Sequence, residues 1–323
     1  MTRFLCLLVL CLPLAAQVRI TAQGSRIISV EIDGKPFTDF YIGNENGALK
    51  PYLHPLRSAS GKIVTRGFPM LPDVSGESHD HPHQRGLWFT HGNVNGIDFW
   101  GSEVEKDPAK RGVVALVKVD KAAGGRKSGE IAATFNWNAP GGKTLLSETR
   151  RMVFYSDPVN RIVDFDIVLH PEDSVTFVDT KEGTFAIRLA AGLEEPQKNS
   201  PAVPKRTGLM VNAVGKSGEK AVWGKRSEWV DYAGELDGEK LGIAILDHPT
   251  NPRHPTYWHS RSYGLFAANI FGVHDFENDA SKDGSLTIAP GQPLRFRYRV
   301  IIHPGNYQSA AIGDQYQKYS AMR

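Results

Sequence analysis

Cysteine is nearly absent. Its two copies, Cys6 and Cys11, both fall within the first eleven residues. If the chain loses its leader it has no disulfide, no thiolate nucleophile and no cysteine-based metal site. Long apolar runs are missing after the N-terminus, so no membrane span is expected once the leader is removed. No run of Lys or Arg and no basic helix occurs. Acidic and basic residues are interspersed, with a formal net charge of +3, so no nucleic-acid partner is expected. No fixed-period repeat and no low-complexity linker divides the chain.

The first sixteen residues, MTRFLCLLVLCLPLAA, carry one early positive charge (Arg3), an apolar stretch over 4–12, then Ala15 and Ala16. This reads as a signal peptide over 1–16, cleaved after Ala16. The expected location is secreted or periplasmic, which suits a chain that relies on its core rather than on disulfides. Residues 18–323 are expected to form a single β-sandwich domain.

Glycine (32) and proline (20) punctuate the rest at short intervals. Strand-like segments recur at 26–32, 113–119, 131–137, 144–155, 161–169, 184–190, 208–214, 241–246, 265–270 and 294–302. The turn dipeptides Asp33-Gly34, Gly141-Gly142, Asp237-Gly238 and Asp283-Gly284 lie between them. Alternation over 294–300 (LRFRYRV) buries one face and leaves the other solvated or paired. One helix is expected, at 307–321. The fold class is all-β, a large antiparallel two-sheet sandwich with a short C-terminal helix.

The centre of interest is residues 77–100, ESHDHPHQRGLWFTHGNVNGIDFW. Four of eleven histidines, His79, His81, His83 and His91, occupy thirteen positions there, with Arg85, Asp98, Trp88 and Trp100. On an extended strand, alternate residues share a face, so His79, His81 and His83 would line one wall. Pro82 lacks an N–H donor and puts the segment at a sheet edge or in an extended loop. A second concentration runs over 247–259, with Asp247, His248, Arg253, His254, Tyr257, Trp258 and His259, stiffened by three prolines. Its aromatics offer flat surfaces for sugar rings, while His, Asp and Arg bond hydroxyls. Lys181 and Glu182 precede a strand in which Arg188 opposes the apolar face. His54 and Arg57 are further wall candidates. The two histidine segments are expected to face each other across one concave pocket, with Lys181, Glu182 and Arg188 on its floor or rim. His79, His91, His254 and Glu182 are the catalytic candidates. His81, His83, Arg85, Asp98, Lys181, Arg188, Asp247, His248, Arg253, Tyr257, Trp258 and His259 are the substrate-binding candidates.

Four blocks, PYLHPLRS (51–58), SHDHPHQRGLWFTHGNVNGIDFW (78–100), KEGTFAIR (181–188) and DHPTNPRHPTYWHSRSYGLFAAN (247–269), resemble the DUF6807 family, which is often labelled "methane oxygenase PmoA". The membrane subunit of that name has several spans and this chain has none after its leader, so the resemblance carries no methane chemistry. More distantly, HGNVNGIDFW (91–100) resembles the His-Gly-Gly…Gly-Phe-Asp…Trp loop of galactose mutarotases, with Asn93 in place of the second glycine. The closing segment 286–298 is similar to their last strands. That likeness implies a β-supersandwich with a carbohydrate site on a concave face, and it implies a substrate-binding and catalytic role for His91.

Three functions fit these features. One is a secreted carbohydrate-active enzyme, an epimerase, lyase or hydrolase, in which histidine or carboxylate moves a proton and Arg or Lys steadies negative charge. No cofactor is expected for it. In the second, His79, His81 and His83 hold a divalent metal. The third is a non-catalytic glycan-binding module. A carbohydrate or glycan is the expected ligand.

Overall fold

The computed structural model describes residues 17–43, 45–200 and 202–322. The expected signal peptide, residues 1–16, lies outside the described residues. In chain order the strands are β1 (Val18–Gln23), β2 (Ile27–Ile32), β3 (Lys35–Tyr41), β4 (Tyr52–His54), β5 (Leu87–His91), β6 (Val113–Ala123), β7 (Ser128–Asn138), β8 (Thr144–Tyr155) and β9 (Arg161–Pro171). There follow β10 (Val175–Phe177), β11 (Gly183–Arg188), β12 (Leu209–Asn212), β13 (Trp229–Leu236), β14 (Glu239–Asp247), β15 (Tyr257–Ser260), β16 (Leu265–Asn269), β17 (Leu286–Ile288) and β18 (Leu294–Pro304). Among the described residues there are three α-helices: α1 (Glu219–Val222), α2 (Val273–Glu277) and α3 (Ile312–Ser320).

The strands build two antiparallel eight-stranded sheets and one small ribbon. The first sheet runs β1-β2-β3-β4-β5-β11-β16-β15; the second runs β12-β13-β14-β18-β9-β8-β7-β6; β10 pairs with β17. The inner faces pack against each other. Leu53, Leu87, Phe89, Phe185, Ile187, Trp258, Phe266 and Ala268 from the first sheet join Ile131, Phe135, Phe165, Ile167, Phe296, Tyr298 and Val300 from the second in one buried cluster. The period of two then fixes every other orientation. Tyr52, Trp88, Ala186, Leu265 and Ala267 point to the opposite, outer face of the first sheet and form a second buried cluster with Trp100. That outer face carries the candidate site.

On the second sheet the alternation of β18 ends in pairing rather than in bare solvent. Arg295 donates to Asp166 (2.7 Å) and Arg299 to Asp164 (2.6 Å) on the neighbouring β9. At Asp33-Gly34 and Asp237-Gly238 both residues have positive φ (55° and 73°; 48° and 82°). This is the two-residue turn that matches strand twist, and it closes the hairpins β2–β3 and β13–β14. Helix α3 begins later than expected because Ala311 has φ +50°. It packs Ile312, Tyr316 and Tyr319 on Trp229, Ala244, Leu246 and Ile301.

One expectation is corrected. Residues 79–84 are not an extended strand: His81 has φ +43° and the chain turns at Pro82-His83, so His79 leaves the wall for Phe68 while His81 and His83 stay together, ring centres 5.6 Å apart. Of the two places expected for the Pro82 segment, sheet edge or loop, the structure has the loop, and the strand that follows, β5, lies between β4 and β11. Strand β13 escaped the sequence reading because its Asp231 breaks the apolar pattern. That carboxylate is buried against His303 Nε2 at 2.9 Å.

Candidate functional site

The loop over 78–85 lies on the outer face of the first sheet, and two buried arginines hold it there. Arg66 donates to the carbonyls of Ser78 (3.3 Å), Asp80 (2.9 Å), His81 (2.8 Å) and Gln84 (3.2 Å), and to Asp80 Oδ1 (2.8 Å). Arg188, at the end of β11, donates to Gln84 Oε1 (2.5 Å), Ser78 Oγ (3.1 Å) and Asp80 Oδ1 (3.2 Å). A guanidinium offers five donors in a rigid fork, so each can organise several loop atoms at once. Burial would raise the Asp80 carboxyl, but the His81 hydrogen bond and the Arg188 charge hold it well below the ordinary carboxylate range. Arg188 also lies 4.7 Å from the Tyr263 ring centre, and Tyr263 stacks on His81 at 5.6 Å with planes 5° apart.

Beside this loop is a cleft of about 540 Å³. Its walls include His81, His83, Gln84, Asp98, Trp100, Lys181, Glu182, His259, Arg261 and Tyr263. Asp98 accepts the backbone N–H groups of Trp100 and Gly101, each at 2.8 Å. Burial still leaves its carboxyl raised. Glu182 is raised as well, first by burial and further by the charges of Asp98 and Asp275, against the opposing pull of Lys181 and His81. Lys181 Nζ is 3.9 Å from Glu182 Oε1 and 3.9 Å from Asp275. Burial, with Lys50, His81, Arg66 and Arg188 nearby, pushes His83 down to about 3. His259 is pushed down to about 4, also by burial, although its Nδ1–H donates to the Lys181 carbonyl at 2.8 Å. The cleft therefore brings together two imidazoles held down by burial, His83 and His259, and two carboxyl groups, Glu182 and Asp98, that burial raises. Such a set can give and take protons.

The sequence matches the "Family of unknown function (DUF6807)" over residues 27–317. The chain belongs to this family. No curated protein matches it. Among solved structures, a galactose mutarotase-like protein from Clostridium acetobutylicum aligns at 9% identity, covering 89% of this chain and 98% of its own, with a TM-score of 0.41. A galactose mutarotase related enzyme from Lactobacillus acidophilus aligns at 8% identity over 88% and 97%, TM-score 0.36. The GH36 alpha-galactosidase from Geobacillus stearothermophilus aligns at 8% identity, TM-score 0.39; 90% of this chain is covered but only 41% of that one.

In the DUF6807 chain, His81, His83, Asp98, Lys181, Glu182 and His259 line the same cleft. The two histidine segments do meet in this cleft, but the second reaches it through His259 alone, and the other candidates lie elsewhere. His91 points between the sheets. Its Nε2–H donates to the Val178 carbonyl at 2.8 Å, its ring meets Phe271 at 4.6 Å, and burial pushes it down to about 4. His79 lies flat on Phe68 at 4.5 Å. His254 donates to Asp247 Oδ2 at 2.7 Å and meets the Tyr316 hydroxyl of α3 at 3.3 Å. Asp247 also accepts from Asn251 (2.6 Å) and Thr256 N (2.9 Å). His248 donates through Nε2 to the Met322 carbonyl at 3.0 Å. These three pin the 248–256 loop to the C-terminal helix. Arg253 clasps the carbonyls of Ile270, Gly284 and Ser285. Tyr257 bonds Glu277 and stacks on Phe276. Trp258 fills the core, with Nε1 donating to the Ser227 carbonyl at 2.9 Å. Arg188 acts beneath the loop, Arg85 is buried beside Tyr52, and His54 is sealed on β4 near Thr65. Arg57 forms a bridge with Ile63 next to that strand.

Among the described residues, no group of three or more His, Cys, Asp or Glu side chains is arranged as a metal-binding set. With His79 turned onto Phe68, the alternative metal trio of His79, His81 and His83 is not assembled. Sequence reading missed Gln84, Thr180, Arg261 and Tyr263. The last two lie in the turn between β15 and β16, past the end of the strand that carries His259, where alternation gives no signal.

Proposed function

We propose that this DUF6807 protein is a secreted or periplasmic carbohydrate-active enzyme that moves a proton at a sugar carbon or ring oxygen in the outer-face cleft. The observation that carries this reading is the juxtaposition of Glu182, a carboxyl raised by burial, with the neutral imidazole of His83 in one polar cleft. Glu182 serves as proton donor and His83 as acceptor. Lys181 and Arg261 balance negative charge that develops on a sugar oxygen. Asp98, Gln84 and Thr180 offer hydroxyl partners, and the exposed face of His81 offers a flat contact for the ring. Epimerases, lyases and hydrolases all use such a donor–acceptor pair. The test is a turnover screen of monosaccharides and oligosaccharides with the purified protein, followed by Glu182→Gln and His83→Ala. Loss of turnover of at least a hundredfold in Glu182→Gln, about the usual weight of a general acid, with thermal stability unchanged supports the reading. Unchanged turnover in both variants ends it. Saturable binding of a glycan without any turnover would favour a binding module instead.

A further inference from the structure

His81 is fixed on three sides and open on the fourth. Its Nδ1 lies 3.1 Å from Asp80 Oδ2. Tyr263 stacks parallel to its ring at 5.6 Å, and His83 stands edge-on, also at 5.6 Å. Its side chain nevertheless keeps 43% exposure, and it lines the cleft. With Nδ1 turned to Asp80, the nitrogen left for the cleft is Nε2, which no protein group engages among the described residues. The backbone contributes as well. His81 has φ +43°, a left-handed conformation that a residue other than glycine keeps only where its surroundings over-determine it, as they do at active sites.

The two oxygens of Asp80 have different partners. Oδ1 accepts from Arg66 Nη1 (2.8 Å), Arg188 Nη2 (3.2 Å) and Ser78 Oγ (2.9 Å). Oδ2 is left to His81. Both arginines are buried, and between them they fix Asp80 in place and in charge. A carboxylate so placed keeps the imidazole proton on Nδ1, and it stabilises the imidazolium that forms when Nε2 accepts a second proton. Glu182, raised by burial, lines the same cleft and is near enough for the charge of His81 to act on it.

We propose that Asp80 and His81 form a proton-accepting pair in the cleft, with His81 Nε2 as a base that acts on the sugar and Asp80 as its positioning residue. This rests on the carbohydrate reading and adds to it a second acceptor beside the more deeply buried His83. In the step, the proton of a sugar O–H or C–H passes to Nε2 while its electron pair stays on the sugar, and Glu182 gives its own proton to a sugar oxygen. His81 becomes an imidazolium balanced by Asp80, Glu182 becomes a carboxylate balanced by Lys181, and the total charge is unchanged.

The test is Asp80→Asn. Because the Oδ1 side goes on accepting from two arginines and Ser78, the Asn oxygen keeps that side and its NH2 group faces His81 Nδ1. An NH2 group donates, so the imidazole proton moves to Nε2 and the base is blocked with size and shape unchanged. Long-range proton–nitrogen NMR of the histidine rings reads the tautomer directly. His81→Asn identifies the signal, since Asn tolerates the left-handed backbone. The expected result is a neutral His81 that carries its proton on Nδ1 in the wild type and on Nε2 in Asp80→Asn. On a monosaccharide or oligosaccharide that the wild type turns over, kcat should fall about a hundredfold to ten-thousandfold in Asp80→Asn and in His81→Asn, with KM changed far less in Asp80→Asn. A wild-type His81 protonated on Nε2 overturns the pair without any variant having to fold, and so does an unmoved tautomer in Asp80→Asn. Turnover retained in either variant overturns it while the carbohydrate reading stands. If the wild type turns over no sugar, the carbohydrate reading fails first. The pair is then judged on the tautomer alone: a proton held on Nδ1 in the wild type and driven to Nε2 in Asp80→Asn sustains it, and any other result removes it.

Discussion

Gly92 donates its amide to the Glu182 carbonyl at 2.7 Å, and a Cβ on Gly92 would lie 2.9 Å from the Cβ of Glu182. The side chain of greatest chemical interest is thus positioned by a residue that has none. Gly92→Ala must push the Glu182 backbone outward or strain both strands. The expected cost is about 1–3 kcal/mol of stability, with sugar turnover or affinity falling by more than that loss of folded protein explains. Denaturant unfolding and titration on the same sample check it; unaltered affinity at full stability would remove Gly92 from this role.

His91 belongs to the core, so its replacement behaves as a packing mutation. His91→Ala opens space between Phe177 and Phe271 and leaves the Val178 carbonyl unpaired. A loss of about 2–4 kcal/mol is expected, read from the denaturant midpoint. His91, a catalytic candidate from sequence, thus takes a packing role. A variant of wild-type stability would refute the core placement.

Acid sensitivity follows from the buried imidazoles. His54 and His83 are held to about 3, and His91 and His259 to about 4, each chiefly by burial. The unfolded chain protonates these groups near 6.5 while the folded chain does not, so their contribution is complete above that pH and is lost as pH falls toward 3–4. Depressed Asp80 adds to the loss at lower pH, and raised Glu182 and Asp98 act in the opposite sense. The thermal midpoint should drop steadily from pH 7 to pH 4. His91→Phe should flatten that slope, removing a dependence on the order of 3 kcal/mol across the interval. An identical slope in the variant would contradict the assignment.

Arg66 organises the 78–84 loop through a planar fork, which an ammonium cannot copy. Arg66→Lys should leave the sandwich folded but speed amide hydrogen exchange at His81–Gln84 and weaken sugar binding. Exchange rates equal to wild type would show that Arg188 suffices alone.

Location is a question for the leader. The apolar segment over 4–12 followed by Ala15-Ala16 predicts a mature chain that starts near Gln17 outside the cytoplasm. N-terminal sequencing of the protein from its host checks this, and full-length protein from Met1 in the cytoplasmic fraction would refute it.

Local chemistry determined the strands, because a strand's alternation and the turn dipeptides at its ends are written within a dozen residues. Strand β8 was legible to the residue, and so were the turns at Asp33-Gly34 and Asp237-Gly238, but not β3 and β13, the strands that those turns join to β2 and β14. Membership of the DUF6807 family was legible for the same reason, since its blocks are contiguous. The cleft was legible only in part. Composition marked two histidine-rich segments, but which face a side chain takes depends on the parity of its position within a strand, and that parity is set by the packed sheet. In β5, Phe89 and His91 face the core while Trp88 faces outward. In β15, Trp258 turns inward and leaves His259 to reach the Lys181 carbonyl. The positive φ at His81 took His79 out of the wall that the sequence spacing suggested. Tertiary structure alone decided that Glu182, His83, Asp98 and His259 meet and that His254 serves the C-terminal helix. Each of these is a relation between segments far apart in the chain, and their contacts come into being only when the two sheets close.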